Sequence, residues 1–362
     1  MQDKLLAITR HFRLDSPAVE CVPFGNGIIN KTYCVTSESG RRYIMQRLSE
    51  DAFKDIPALM NNLRLITDYL SAHSEGEPVI IFPVETDDGK NYLHTGDGYF
   101  RITPYAENTV AMEAPRNDDD FYRTALAFGS FISSLADFPA DSLVETIPNF
   151  HNTVDRYRLF HEALDRNISG RADEAGPEIR YLLDHEEEMG RLQHMRESGE
   201  LPTRVTHNDT KLNNVLFDAD TYQPKYVIDL DTVMPGLSLY DYGDCIRFGA
   251  NTAAEDEPNT DLVGIDLNLF RIFTRGFLTS CKGLTEKEID MMPLGAKTIT
   301  IELAMRFLSD YLNGDTYFTI KYADHNLVRC RAQLKLAASM EENWETMCAI
   351  VVEEREHVRS KK

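Results

Sequence analysis

Short runs of alternating apolar and polar residues, separated by turn residues, cover the N-terminal part of the chain. The runs at 19–24, 28–36 and 42–48 predict three β-strands, since such alternation is typical of a half-buried strand. A meander of further strands is predicted within 79–103, and a helix is predicted at about 51–71. This part of the chain is therefore expected to form a five-stranded antiparallel sheet with one main helix.

In the rest of the chain, apolar positions recur every three or four residues, which is the period of an amphipathic helix. Thr285 and Glu288 have the spacing of a capping box, in which two side chains bond the backbone at a helix N-terminus. The pattern as a whole predicts an α+β protein, with a small antiparallel sheet followed by a mostly helical region. Helices are predicted over 118–137, 154–164, 178–198, 262–278 and 326–351.

Two short apolar runs interrupt the helical pattern. Val215–Phe217 and Tyr226–Ile228 are separated by turn residues, so they predict a β-hairpin. Asp209 and Asn214 lie on the loop that enters this hairpin, and Asp229 leaves it at the same end. Carboxylate and amide oxygens are ligands for Mg²⁺, and a carboxylate can accept the proton of an attacking hydroxyl. The alternative for the loop is an Asx-rich turn without chemistry.

The loop and the hairpin together carry a family pattern. The motif His207-Asn208-Asp209, followed by Asn214 and by Ile228-Asp229, resembles the catalytic and metal motifs of the aminoglycoside phosphotransferase and choline kinase superfamily. The resemblance covers most of the chain from about Phe24 onward. It implies an ATP- and Mg²⁺-dependent kinase in which Asp209 is the catalytic base and Asn214 and Asp229 hold the metal. It also makes His207 a structural residue of the loop.

The same resemblance implies a protein-kinase-like fold with two lobes. The expected division is an N-lobe of residues 1–103, a hinge of residues 104–108 and a C-lobe of residues 109–362 with the catalytic loop, the metal loop and the acceptor site. Pro104 and Tyr105 of the hinge are placed where the family's adenine ring pairs with backbone. The alternative is a simple linker between a strand and a helix.

A loop with two glycines connects the first two predicted strands. Glycines let backbone N–H groups approach phosphates closely, although an ordinary Asn-Gly turn is the alternative. The third strand lacks the phosphate-binding lysine of protein kinases, and Arg47 is favoured in its place because it is charged. Gln46 is the other candidate and faces the opposite side of the strand. The predicted nucleotide-binding residues are Gly25, Asn26, Gly27, Asn30, Arg47, Pro104 and Tyr105.

Residues 206–249 and 305–327 also resemble the members of this superfamily that phosphorylate the anomeric C1 hydroxyl of N-acetylhexosamines, GlcNAc or GalNAc. Arg306 is the expected donor to the sugar, whereas ion pairing along a helix surface is the alternative. The alternative function is a kinase of choline, ethanolamine, homoserine or an aminoglycoside. The predicted acceptor-binding residues are Asp209, Phe248, Arg306 and Tyr317, and Phe248 is expected to stack on a sugar ring.

Three other charged residues lie near these motifs. Asp231 follows Asp229 by two residues and either touches a second metal or shapes the loop. Asp244 and Arg247 are expected to form a structural ion pair. A catalytically inactive nucleotide-binding module is disfavoured because the three motif residues are intact.

Composition limits the partners of the protein. The net charge of −21 argues against nucleic acid or an anionic membrane as a partner. Six scattered cysteines without a CxxC pair predict a reduced, cytoplasmic protein. No apolar run is long enough for a membrane span. The expected partners are ATP and a small sugar acceptor, and the expected state is a monomer or a homodimer.

Overall fold

The computed structural model describes residues 2–25, 29–73 and 79–361. The chain forms two compact units. Unit 1 comprises Met1–Val110, Ser142–Ile147 and Leu216–Met234, and unit 2 comprises Ala111–Asp141, Pro148–Val215 and Pro235–Lys362. The segment with the predicted metal residue Asp229 therefore belongs to unit 1, whereas Asp209 and Asn214 belong to unit 2. The division into lobes at residues 104–108 stays a prediction.

Unit 1 contains a five-stranded antiparallel sheet in the order β1-β2-β3-β5-β4, as predicted. Met45 at its centre pairs with Tyr33 on one side and Ile102 on the other. The alternation of buried and half-buried residues in β3 reflects the period of two of a pleated strand. The strands are β1 (Ala18–Pro23), β2 (Lys31–Ser37), β3 (Arg42–Arg47), β4 (Leu93–Thr95) and β5 (Gly98–Pro104).

Two helices pack in unit 1. Helix α1 (Gln2–Thr9) contributes Leu5 and Ile8 to an apolar cluster with Met45 and Ile102 of the sheet. Helix α2 (Ile56–His73), which matches the main helix predicted at 51–71, buries its own apolar side in a second cluster. The first cluster fixes which face of β3 is apolar, and so leaves the other face for polar side chains.

The run Val79–Val84 is not a strand, although its apolar residues predicted one. Within it, only Ile80 forms a bridge, to Val227. Pro83 has no N–H to donate to a strand partner. Val84 donates one backbone hydrogen bond to Ile102 O at 2.8 Å, and the segment otherwise crosses the unit as irregular chain.

The predicted hairpin is confirmed. Strands β8 (Val215–Asp218) and β9 (Pro224–Val227) pair, and β6 (Thr109–Ala111) adds a third strand in the order β6-β8-β9. Asp218 closes the turn by accepting hydrogen bonds from the backbone N–H groups of Asp220 and Thr221. The chain leaves β9 through Ile228 directly into Asp229.

Unit 2 is mostly helical, which confirms the predicted α+β class with a small antiparallel sheet and a helical remainder. Strands β7 (Arg204–Thr206) and β10 (Met234–Gly236) form a small two-stranded sheet. The helices are α3 (Asp118–Ser134), α4 (Thr153–Arg166), α5 (Gly176–Met189), α6 (Arg191–Glu197), α7 (Ser238–Gly249), α8 (Leu267–Ser280), α9 (Glu286–Asp290), α10 (Met292–Leu312), α11 (His325–Glu342) and α12 (Trp344–Ser360).

The helix ends show what local sequence determines. The capping box of Thr285 and Glu288 is confirmed at the start of α9, with both reciprocal hydrogen bonds present. Two of the long helices predicted for unit 2, at 178–198 and 326–351, are instead broken. Gly190 separates α5 from α6, and Asn343 separates α11 from α12. Gly and Asn are poor helix formers, and apolar periodicity alone did not reveal these breaks.

Helix α10 is the centre of unit 2. It packs against α4, α7 and α11, and nearly all of its residues are buried. It carries buried polar side chains among the apolar ones, including Glu302 and Asp310. Buried polar groups require partners, and these partners lead to the candidate site. In the described part of the chain, none of the helices combines the length and apolarity that a membrane crossing requires.

Candidate active site

The loop after β7 is held by carboxylates from α7. The two side-chain oxygens of Asp241 accept hydrogen bonds from the N–H groups of His207 and Asn208, at 2.8 and 2.7 Å. Asp244, one turn later, accepts from the N–H of Thr210 at 3.1 Å. Asn208 adopts the left-handed conformation with φ of 65°, which Asn tolerates better than most residues. The backbone of the loop is therefore fixed from residue 207 to residue 210.

Burial and charge set the state of these two carboxyls. Burial raises the pKa of Asp241 to about 6, against the lowering effects of His207 and of the two N–H donors. Burial also raises the pKa of Asp244, but the charges of Arg247 and Lys211 outweigh it, so its net pKa is lowered. Arg247 and Asp244 form the predicted ion pair, with Nη2 and Oδ1 2.7 Å apart. Both carboxyls are thus structural supports of the loop.

We expect Asp241→Asn to damage both stability and turnover. The new amide presents N–H donors to backbone N–H donors, so one buried bond is lost at a cost of about 1–3 kcal/mol in the free energy of unfolding. Chemical denaturation and steady-state kinetics measure the two effects. In the wild type, Asp241 takes up a proton as pH falls through about 6, so kcat should decline there.

Asp266→Asn is the matched control for Asp241→Asn. Asp266 caps α8 through hydrogen bonds from Asn268 and Leu269, and Asn caps a helix about as well as Asp. Wild-type stability and turnover in Asp241→Asn would show that the two backbone bonds do not support the loop.

His207 is packed inside unit 2. Its ring lies edge-on to Phe128 and Phe131, with centroids 5.6 and 5.9 Å away, and its side chain is fully buried. The N–H of Asp209 donates to His207 Nδ1 at 3.3 Å. A ring buried in this way supports the loop, and its burial keeps it from contact with an acceptor substrate.

Asp209 and Asn214 lie together within unit 2. Asn214 Nδ2 donates to the carbonyl oxygen of Asp209 at 2.8 Å and lies 3.4 Å from Asp209 Oδ2. The amide nitrogen is therefore turned toward residue 209. The amide oxygen of Asn214 accepts no hydrogen bond in the described part of the chain. An amide oxygen left free in this way suits a hard cation such as Mg²⁺.

Lys211 is a site residue that the sequence analysis missed. Its Nζ lies 3.0 Å from Asp209 Oδ1. Burial lowers the pKa of Lys211, but the charges of Asp209 and Asp244 outweigh burial and leave the pKa raised. The only signal in the sequence was its position two residues after Asp209 in an otherwise neutral loop. The pair places a fixed positive charge beside the predicted base.

In unit 1, Asp229 follows β9 and adopts a left-handed conformation, with φ of 60°. Such a conformation is uncommon for a residue other than glycine and is often found at functional sites. A single 3₁₀ turn follows at Leu230–Thr232. This local geometry sets the direction in which the chain leaves the hairpin.

Asp231 is buried in a polar network of unit 1. It forms an ion pair with Arg101, and it accepts a hydrogen bond from Asn30 Nδ2 at 2.7 Å. Arg101 Nε also donates to Gln46 Oε1 at 2.9 Å. Asn30 in turn accepts from the N–H of Ser49 at 3.0 Å. Both oxygens of Asp231 are therefore engaged, which corresponds to the loop-shaping alternative for this residue.

Gln46 and Arg47 lie on opposite faces of β3, as the strand period requires. Gln46 is opposite Arg101 and shares the polar face with the Asp231 network. Arg47 is opposite Phe100 and lies against Gly98, where a Cβ would come within 3.0 Å of its Nε. The sequence missed Arg101, because a single Arg in a strand carries no distinguishing spacing.

The glycine loop and the hinge residues are only partly described. Gly25 has φ of 70° with open space around it, whereas Asn26 and Gly27 lie outside the described residues. Tyr105 packs under the Arg42 guanidinium, 4.0 Å from the ring centroid, and its N–H donates to Arg42 O at 3.1 Å. Pro104 has no N–H, and the N–H of Tyr105 is engaged by Arg42, so these two residues present no free backbone donor to an adenine ring.

Arg306 lies among three aromatic rings of unit 2. Its guanidinium carbon is 5.2 Å from the ring centroid of Phe150, 6.0 Å from Tyr317 and 5.7 Å from Phe318. Among the described residues, the guanidinium makes no hydrogen bond or ion pair. Its donors are therefore available to a ligand, while the rings hold the group in place.

The carboxylate of Asp310 positions the aromatic loop. It accepts hydrogen bonds from the N–H groups of Thr316, Tyr317 and Phe318, at 2.8 to 2.9 Å, and from the Asn326 amide at 2.9 Å. Tyr317 remains 71% exposed. The structure thus brings Tyr317 to Arg306 and adds Phe318 and Phe150, which the sequence analysis missed.

Phe248 is half-buried on α7 and makes no ring contact among the described residues. The neighbouring aromatic residues of unit 2 differ in this respect. Tyr242, on the same helix, contacts three phenylalanine rings of α8. Among the described residues, no ring or cation–π contact joins Phe248 to Arg306 or to Tyr317.

Other charged side chains lie close to Arg306 on and near α10. Glu302 lies one turn earlier on α10 and is buried. Burial raises the pKa of Glu302, but interactions with His151, Arg156 and Arg306 lower it by more than burial raises it. The pKa of Glu302 is therefore lowered overall. Burial and repulsion from Arg306 lower the pKa of Arg156. The guanidinium groups of Arg156 and Arg306 thus lie near the Glu302 carboxylate, and Asp155 also acts on Arg156.

The antiparallel sheet, the helical unit and the loop with Asp209 and Asn214 define a phosphotransferase of the protein-kinase-like class. The sequence profile of the phosphotransferase enzyme family APH matches residues 20–267. The chain therefore belongs to this family, whose members transfer a phosphoryl group to a hydroxyl.

Solved structures share this fold at low sequence identity. An aminoglycoside phosphotransferase from Alicyclobacillus acidocaldarius has a TM-score of 0.62 and 15% identity, over 97% of this chain and 96% of that chain. A choline kinase from Cryptosporidium parvum has a TM-score of 0.61 and 12% identity, over 96% and 97%. The amicoumacin kinase hAmiN, in complex with AMP-PNP, Ca²⁺ and Ami, has a TM-score of 0.58 and 15% identity, over 92% of each chain.

Proposed function

We propose that this protein is an N-acetylhexosamine 1-kinase. It transfers the γ-phosphoryl group of ATP to the C1 hydroxyl of GlcNAc or GalNAc, with Mg²⁺, and it acts in the cytoplasm as a monomer or homodimer. One observation supports a sugar as the acceptor substrate. The Arg306 guanidinium lies among aromatic rings, without a hydrogen-bond partner in the described part of the chain, and it belongs to the same unit as Asp209. The family membership supports the phosphotransfer step.

Asp209 accepts the proton of the attacking hydroxyl in this proposal. Its carboxylate is held beside the Lys211 ammonium, and its backbone is fixed by the hydrogen bonds of residues 207 to 210. General-base catalysis requires such positioning first and a suitable pKa second. Lys211 offsets negative charge next to the incoming phosphoryl group, because its ammonium remains in place when Asp209 takes up the proton.

Asn214 and Asp229 would hold the metal. The free amide oxygen of Asn214 and a carboxylate are oxygen ligands of the kind that Mg²⁺ takes. Bound there, Mg²⁺ would neutralise charge on the nucleotide phosphates. The kinase hAmiN in complex with AMP-PNP and Ca²⁺ supports a nucleotide with a divalent cation in this fold.

Unit 1 supplies the remaining nucleotide contacts in the proposal. The proposed phosphate-binding residues are Gly25, Asn26, Gly27 and Asn30, and the hinge residues Pro104 and Tyr105 are proposed to border the adenine base. Arg47 keeps its proposed role only if its side chain leaves Gly98. Gln46 is the better placed of the two strand candidates, because it lies on the face of β3 that meets Arg101 and Asp231.

The charges around Arg306 favour a neutral sugar over a cationic acceptor. A choline or aminoglycoside cation bound at Arg306 would lie near the guanidinium groups of Arg306 and Arg156, and like charges at short range repel strongly where water is excluded. The hydroxyl and acetamido oxygens of an N-acetylhexosamine instead accept hydrogen bonds from Arg306. Tyr317 and Phe248 offer ring faces for the apolar side of the sugar.

The product identifies the reaction directly. We expect ADP release with GlcNAc or GalNAc, and a phosphorus–proton correlation NMR spectrum in which the phosphate couples to H1 of the sugar. The assay panel should include choline, ethanolamine, homoserine and an aminoglycoside as alternative acceptors. A phosphate coupled to the C6 protons, or turnover only with a cationic acceptor, would contradict the proposal.

Arg306→Ala should weaken use of the sugar selectively. Loss of a charged hydrogen-bond donor to a ligand costs about 1.5–3 kcal/mol, so kcat/KM for the sugar should fall roughly 10- to 100-fold. The KM for ATP should change little, because the nucleotide contacts are proposed for unit 1. Steady-state kinetics with each substrate varied in turn measures both values.

Arg329→Ala is the matched control for Arg306→Ala. Arg329 also lies over an aromatic ring, 5.2 Å from the centroid of Phe307, but its Nη1 donates to Thr319 O within the protein. We expect this control to keep wild-type sugar kinetics. Equal effects of the two substitutions would remove Arg306 from the acceptor site.

A further inference from the structure

His151 joins the catalytic loop to the helix that carries Arg306. It lies just before α4, and its side chain is 8% exposed. One ring nitrogen, Nδ1, is 2.8 Å from Glu302 Oε1, and the other, Nε2, is 3.2 Å from the carbonyl oxygen of Asn208. Its ring also packs against Phe150 and Tyr240, with centroids at 4.5 and 5.3 Å. No motif in the sequence marks this residue.

Both neighbours of the His151 ring nitrogens are acceptors. A backbone carbonyl cannot donate a hydrogen bond, and an ionised carboxylate cannot either. A neutral imidazole has only one N–H, so it can satisfy only one of the two contacts. The pKa of Glu302 is net lowered, which favours its ionised form. With Glu302 ionised, both contacts are hydrogen bonds only when the ring is doubly protonated. The hydrogen-bond inventory therefore indicates an imidazolium at residue 151.

Glu302 is suited to be the counter-charge of this imidazolium. Its second oxygen, Oε2, is buried and has no hydrogen-bond partner among the residues that the structure describes. A buried carboxylate with one hydrogen bond needs nearby positive charge to stay ionised. A protonated His151 supplies such a charge at contact distance. The charged and titratable groups that face the pair from α4, α7 and α10 are Arg156, Tyr240, Asp241, Asp244 and Arg306.

The hydrogen bond from His151 acts on the peptide that carries Asp209. The carbonyl oxygen of the Asn208–Asp209 peptide faces His151 Nε2, and the N–H of the same peptide donates to His207 Nδ1. The two ends of one peptide plane are thus held by two histidines. Rotation of this plane would turn the Cα–Cβ bond of Asp209 away from its present direction.

We propose that His151 and Glu302 form a positioning pair for Asp209, in which the protonated His151 ring holds the Asn208 carbonyl and Glu302 keeps that ring charged and oriented. This role rests on the proposed function of Asp209 as the base of the kinase reaction. The pair also ties the loop to α10, because Glu302 lies four residues before Arg306 on the same helix. Asp209, the proposed base, and Arg306, the proposed hydrogen-bond donor to the sugar, are thereby held by one connected framework.

Kinetics of His151→Gln and Glu302→Gln test the positioning role. A base that loses its alignment by a fraction of an ångström to about 1 Å loses roughly 10- to 100-fold in rate. We therefore expect kcat to fall by about this factor in both variants, while the KM for ATP stays within about twofold. The acceptor used is whichever alcohol the panel assay shows to be phosphorylated.

The pH profile separates positioning by a charged ring from simple packing. His151→Gln and Glu302→Gln should each change the pH profile of kcat, because each removes one partner of the charged pair. A profile that is unchanged in both variants would overturn the proposal.

A second histidine–glutamate pair, formed by one residue of α4 and one of α5 at the surface, provides the control. His161 Nε2 lies 2.9 Å from Glu186 Oε2, but both side chains are 44% exposed and neither contacts the catalytic loop. Glu186→Gln removes a carboxylate from a histidine just as Glu302→Gln does. It should leave kcat and its pH profile at wild-type values.

Nitrogen NMR of the substrate-free protein tests the protonation state without any turnover. The protein is labelled at its histidine ring nitrogens, and His151 is assigned by the signal that His151→Gln lacks. Because both ring nitrogens face acceptors, we expect a proton on each of them in the wild type and on only one of them in Glu302→Gln. An unprotonated ring nitrogen in the wild type would overturn the proposal. If no alcohol in the panel is phosphorylated, the proposed function fails, and this spectrum still decides whether the pair is charged.

Discussion

Asp209→Asn should lower kcat by about 10² to 10⁴, the range typical for loss of a general base. The amide of Asn has nearly the shape of the carboxylate, so it can still orient the acceptor hydroxyl, but it cannot take up the proton. The KM values should change much less, because the contacts of both substrates with other residues remain. Single-turnover measurements with saturating sugar and ATP isolate the chemical step.

The stability of the Asp209→Asn protein is the control for this result. Asp209 is partly exposed, and it contacts Lys211, Asn214 and His207. Two of the contacts are made by the backbone of residue 209 and survive the substitution. The melting temperature should therefore stay near that of the wild type. Turnover within a few-fold of the wild type would show that another group accepts the proton.

Asp229→Asn should abolish most of the turnover and weaken metal binding at the same time. A carboxylate that holds the metal contributes charge that an amide lacks, and loss of metal assistance costs several kcal/mol, or about 10² to 10⁴ in rate. Asn is the suitable replacement because residue 229 has φ of 60°, which Asn tolerates well. Asn214→Ala should have a smaller effect and raise the Mg²⁺ concentration that half-maximal activity requires.

Binding of Mn²⁺, followed by electron paramagnetic resonance in the presence of a non-hydrolysable ATP analogue, measures the metal independently of activity. Asp220→Asn is the control. Asp220 lies in the turn of the same hairpin and accepts a hydrogen bond from Asn108 at 2.9 Å. It should bind Mn²⁺ and turn over as the wild type does. Full activity of the wild type in excess chelator would contradict a metal-dependent reaction.

Much of the fold follows from local spacing. Alternation around Met45 predicts a central strand, and the structure pairs this strand on both sides. The apolar runs before Asp218 and before Asp229 predict the hairpin, which is observed. Thr285 and Glu288 predict a helix start, because a capping box lies within four consecutive residues. The wrong predictions also have local causes. Pro83 lies in a run predicted as a strand, and Gly190 and Asn343 lie in runs predicted as single helices, although the apolar pattern continues through all three positions.

The hydrogen bonds and ion pairs that hold the candidate site could not be predicted from local spacing. Asp241 holds the N–H of His207 from 34 positions away, and Glu302 holds His151 from 151 positions away. Arg101 and Asp231 are 130 positions apart. A contact between such distant residues has no spacing in the sequence. It forms because a buried polar group must find a partner among whatever packs against it.

The sequence by itself determined which reactive groups the chain carries and in what order: Asp209, then Asn214, then Asp229, on either side of a hairpin. These assignments depend on residue type and short spacing, which a single sequence contains. Only the tertiary structure decided which side chains hold the loop, that Arg306 keeps its donors free among aromatic rings, and that His151 faces two acceptors. These properties depend on burial, because burial removes water as a partner and so fixes the hydrogen bonds and charges that remain.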